Sequence, residues 1–100
     1  MELRKEALVM AQTRVSNMDD ATRRYDVAGE VTVRDGRFES VYSGTVDSPD
    51  GERVAEFSTG AGQPTNIHYY KTDITDSGQV EVLTEIQAFV AACREYAEEP

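Results

Sequence analysis

The dipeptide Asp35-Gly36 lies between two runs, residues 25–34 and 37–46, in which apolar and polar side chains alternate. A period of two marks a strand with one buried face, and Asp-Gly suits a two-residue type I′ turn, whose central positions both need positive φ. A chain with this signal builds a β-hairpin and must then cover one of its faces. An unbroken turn of this kind also implies a register: Val33 opposite Phe38, Val31 opposite Ser40, Gly29 opposite Tyr42, Val27 opposite Gly44 and Tyr25 opposite Val46. Every apolar side chain except Val41 then falls on one face, and Gly29 and Gly44 make room for large neighbours.

Residues 47–52, with Pro49 and Gly51 placed to reverse the chain, predict a second turn and a third strand. Pairing Val46 with Arg53 across it sets Gly44 opposite Ala55 and Tyr42 opposite Phe57, which continues the buried face. Glu30, Glu39 and Glu56 then stand on the other face, around Val41, Val54, Thr32 and Thr45. After the loop 60–65, residues 66–73 are rich in β-formers and read as a fourth strand. Either Ile67, Tyr69 and Lys71 or His68, Tyr70 and Thr72 point inward, and each set contains a polar residue.

From residue 79 to 99 the period changes to that of a helix. Val82, Leu83, Ile86, Phe89, Val90, Cys93 and Ala97 form one apolar stripe, with Asp76 as the expected N-cap and Gln79 completing a capping box. Residues 2–18 also carry a helical stripe, Leu3, Ala7, Met10, Ala11, Val15 and Met18, but Arg14 falls inside it. A helix is expected there, and the rival is a strand over residues 9–16. The expected fold is α+β, an antiparallel β-meander of about four strands covered on one face by the C-terminal helix, with an N-terminal helix added.

A chain of 100 residues fits a single domain, residues 1–100, with one core. The lone Cys93 cannot close an intramolecular disulfide, and the early apolar run at residues 7–11 is far shorter than a membrane span and lacks a cleavage pattern. No targeting segment is read, and a cytoplasmic setting is expected. The formal net charge of -9 is uneven: residues 1–24 carry a net of +1 and the remaining 76 a net of -10. Such a field repels nucleic acid and anionic membrane and speeds encounter with a basic partner; it also serves solubility.

The candidate chemistry is sparse. Cys93 lies within the apolar stripe, which suits a buried thiol rather than a nucleophile. His68, the one histidine, excludes multi-histidine metal sites and leaves a single imidazole base. The run Ser58-Thr59-Gly60-Ala61-Gly62 has neither Rossmann nor P-loop spacing, and the acidic turn at Asp47, Asp50 and Glu52 lacks the ligand ladder of an EF-hand. No catalytic residue, cofactor or metal ligand is assigned. One feature works against local stability: Glu81 with Glu85 and Glu95 with Glu99 are like-charge pairs at i and i+4, and Glu95, Glu98 and Glu99 crowd the negative end of the helix dipole.

These residues favour a small acidic, non-enzymatic binding protein, inhibitor-like or a nucleic-acid mimic. It would dock a basic protein partner, such as a nucleic-acid-binding protein, through Glu81, Glu85, Glu95 and Glu99 on the helix and Glu30, Glu39 and Glu56 on the sheet. The alternative is a small-ligand-binding domain or minor enzyme with a pocket between sheet and helix near His68. A third reading is a homo-oligomeric subunit that pairs through an apolar patch at Val41 and Val54.

Overall fold

A computed structural model describes residues 3–9, 12–70 and 75–98. The described chain runs β1 Arg4–Val9, β2 Gln12–Ser16, β3 Asp26–Arg34, β4 Arg37–Asp47, β5 Arg53–Gly60, β6 Asn66–Tyr69 and α1 Asp76–Glu98. The strands form one antiparallel sheet in sequence order, and α1 packs across β3 and β4. This is the expected α+β meander with a C-terminal helix, extended to six strands.

The expected N-terminal helix is replaced by the hairpin of β1 and β2. Arg14, which interrupted the helical stripe, shows why. In a strand its neighbours Thr13 and Val15 point to the core, at 7% and 0% exposure, while Arg14 lies on the other face opposite Glu30. The strand also supplies ladder partners to the free edge of β3, from Gln12 opposite Thr32 to Ser16 opposite Ala28. The loop after β2 is tied down by Asn17, fully buried, whose amide donates to the Tyr25 carbonyl at 2.9 Å and accepts from the Val27 N–H at 2.8 Å.

The Asp35-Gly36 turn forms as expected, with φ of 55° and 74°, and Val33 pairs with Phe38. Beyond that pair the register departs from the one an unbroken hairpin implies. An extra residue in β4 near Glu39 pairs Val31 with Val41, and a second bulge at Ser43 pairs Val27 with Val46. Each bulge shifts the alternation by one, because two residues on one strand then oppose one on the other. Val41 therefore turns into the core at 0% exposure, and Tyr42, expected inside, stands 56% exposed. The pairs with β5 follow: Asp47 with Arg53, Val46 with Ala55 and Gly44 with Phe57. A third irregularity beside Val46 and Asp47 leaves Val54 and Ala55 both buried.

On β6, Ile67 and Tyr69 face the core and His68 faces outward. On α1 the expected stripe holds for Val82, Ile86, Phe89, Val90 and Cys93, with Ala92 added; Leu83 is instead 37% exposed. The side chain of Ala97 lies outside the described residues. The N-cap is Thr75, one residue before the expected Asp76: its hydroxyl accepts the Gly78 N–H at 3.1 Å, and its carbonyl accepts the Gln79 N–H at 2.9 Å.

Candidate functional site

The sheet has two faces with different chemistry. Its inner face and α1 enclose Val15, Val31, Val41, Ile86, Phe89 and Cys93, all at 0% exposure. Burial pushes the Cys93 thiol up to about 12, so at neutral pH it carries no thiolate and serves as a small apolar side chain. His68, between the core-facing Ile67 and Tyr69, points away from α1. The hollow that His68 does line, about 450 Å³, opens on the outer face instead.

That hollow exists because of the second β4 bulge. Ser43, at a φ of 52°, stands on the outer face at that bulge, and the hollow lies beside it between β4 and β5; the space of the missing Gly44 side chain is on the inner face, where the Phe57 ring fills it. Ser43, Thr45, Glu56, Ser58, Asn66 and His68 surround it. Thr45, Glu56 and His68 lie side by side across three strands. Arg53 holds Asp47 at 2.5 Å and reaches Glu56 at 3.4 Å. The Glu56 carboxylate accepts the Tyr70 hydroxyl, which pushes that phenol above its ordinary range. Tyr70 meets the His68 ring edge to face, with centroids 5.0 Å apart.

The candidate carboxylates do not assemble into one patch. Glu81, Glu85 and Glu95 belong to α1, which covers the inner face, whereas Glu30 and Glu56 lie on the outer face on the opposite side of the sheet. Glu30 stands in register between Arg14 and Tyr42. Glu39 pairs with Arg34 at 3.6 Å, and Glu81 with Arg24 at 3.3 Å. Glu99 lies outside the described residues.

The glycine loop makes an ordinary turn, with the Gln63 N–H donating to the Gly60 carbonyl at 3.0 Å. In the acidic turn, Asp50 accepts the Ser48 hydroxyl and Asp47 is taken by Arg53. Among the described residues, no three His, Cys, Asp or Glu side chains group as a metal site, and no helix is long and apolar enough to cross a membrane. Val41 and Val54, expected as an exposed apolar patch, are core residues.

What sequence reasoning missed is the outer-face hollow. It depends on a bulge at Ser43, and the only local signal for that bulge is Gly44 beside it. No known protein family, curated protein or solved structure matches the chain.

Proposed function

We propose that the chain is a small acidic, non-enzymatic binding protein that docks a basic protein partner through carboxylates of α1. The supporting observation is the charge balance of that helix. Over 23 residues it carries Asp76, Glu81, Glu85, Glu95 and Glu98 against one cation, Arg94. Arg94 is itself turned onto the Phe38 ring, 5.3 Å from its centroid.

Elsewhere Arg4, Arg23, Arg24, Arg34 and Arg53 each pair with a carboxylate of the chain, so the net of -9 projects outward as negative charge. Carboxylates along a helix suit the lysines and arginines with which a nucleic-acid-binding protein meets phosphate. Glu85 and Glu95 are the residues to change, because Glu81 already holds Arg24 and a lysine there would also disturb that contact.

The test is retention of basic proteins from the source cell on the immobilised chain. Retention should fall as salt rises and be lost in the double variant Glu85→Lys, Glu95→Lys. Retention indifferent both to salt and to this variant overturns the reading.

A further inference from the structure

The outer face of β4, β5 and β6 holds a second hollow, of about 270 Å³, lined by Tyr42, Ser58, Gly60, Gln63, Pro64 and Asn66. It shares Ser58 and Asn66 with the hollow at the Ser43 bulge, so the two adjoin on the face of these three strands and are treated together as one groove. Two interstrand spacings make that span about 10 Å, the length of a disaccharide. We propose that this groove binds a neutral, polyhydroxylated small molecule of the disaccharide class.

The first support is the state of its hydrogen-bonding groups. Among the described residues, the side chains of Ser43, Thr45, Ser58 and Asn66 bond to no other group of the chain. Several hydroxyls elsewhere are taken: Thr22 by Asp20, Ser48 by Asp50, Thr65 by Thr59, Thr75 by Ser77, and Thr84 by the Val80 carbonyl. The groove thus collects free hydroxyl and amide groups that donate and accept in alternation, the arrangement that matches sugar hydroxyls.

The second support is charge. In a chain of net -9, the carboxylate lining this groove is Glu56, which is met by Arg53 and by the Tyr70 hydroxyl. An anionic ligand is repelled by the overall field, and a cationic one finds the carboxylate already engaged. The third support is the pair of flat rings. Tyr42, 56% exposed, lines the groove, and Tyr70, 48% exposed, stands beside it against His68 and Glu56. Such rings offer an apolar platform to the C–H face of a pyranose. This groove lies across the sheet from α1, so it stands or falls apart from the docking of a basic partner.

The experiment is a titration of the isotope-labelled chain with neutral disaccharides of glucose, mannose, galactose and N-acetylglucosamine, followed by amide NMR. At least one should shift the amides of residues 43–45, 56–58 and 66–68. Tyr42→Ala and the double variant Ser58→Ala, Asn66→Ala should each weaken that binding at least about tenfold, with the rest of the spectrum unchanged. If the double variant does not fold, Asn66→Ala, on an exposed edge residue, reads out the same loss. Glucose 6-phosphate and glucosamine should bind more weakly than the neutral sugar. The proposal is overturned if no disaccharide shifts these amides, if the shifts fall on α1, if the variants bind as tightly as the parent chain, or if a charged sugar is preferred.

Discussion

Phe57 of β5 and Phe89 of α1 meet edge to face, with ring centroids 6.1 Å apart and planes at 81°. The Phe57 ring occupies the space that Gly44 leaves, and Val41 fills that left by Gly29, beside the Phe89 ring. A Cβ on Gly44 would stand 2.6 Å from the Phe57 ring; one on Gly29 would stand 2.6 Å from Val41 Cγ1 and 3.6 Å from Phe89. Sheet and helix are joined at this point, and the glycines set how closely they approach.

Phe89→Ala should therefore cost about 3–5 kcal/mol, the range for emptying a fully buried aromatic site. Urea melts read it directly. A loss under about 1 kcal/mol would mean that α1 does not depend on this contact.

Gly44→Ala should destabilise by about 1–3 kcal/mol, because the ring it strikes is itself packed against Phe89. Gly36→Ala meets nothing within 4 Å and is opposed only by its φ of 74°. Its cost should be about 1–2 kcal/mol, from backbone strain alone. Adding Phe57→Leu to Gly44→Ala should recover part of that variant's loss, whereas the cost at Gly36, which meets no side chain, has no such remedy. Thermal melts of the three variants decide it.

Asn17→Ala should cost about 1–3 kcal/mol, since it strips partners from the Tyr25 carbonyl and the Val27 N–H at the entry to β3. Hydrogen exchange at the Val27 amide should speed up more than at Val46 in the middle of β4. Equal acceleration at both would show global rather than local loosening.

The Cys93 thiol should stay inert to alkylating reagents at neutral pH and react only as the chain unfolds. Its folded value of about 12 lies above the ordinary 9.0, so the thiol has no effect on stability below about pH 9. Above that pH the unfolded chain loses the proton and the folded chain keeps it. Stability must then fall with rising pH up to about 12, and Cys93→Ala should flatten that part of the profile. An equally steep profile in the variant would assign the fall to other groups.

Local chemistry was enough for the Asp35-Gly36 turn, for the pairing of Val33 with Phe38 beside it, and for the face of α1 that carries Ile86 and Phe89. These depend on φ preferences and on a repeat within one element, and both are written in neighbouring residues. The N-terminal segment was not legible in the same way. Its apolar residues suit either period, and the choice went to the strand because the edge of β3 needed partners that only β2 could supply.

The candidate site shows the same division. That Glu56 and His68 stand outside the core on an open face follows from alternation along a strand, once it is known which way Ile67 and Tyr69 turn. Which residues share that face with them was decided by bulges in β4, near Glu39 and at Ser43. Each inserts one residue, and a single-residue slip exchanges inside for outside, so Tyr42 moved to solvent and Val41 into the core, while the irregularity beside Val46 and Asp47 took Val54 inside. A bulge is settled by how well Gly29, Gly44, Phe57 and Phe89 fill the space between sheet and helix. The sequence by itself determined the elements from β3 to α1, their order and the negative charge. Only the packing of distant side chains decided the register, and with it the groove.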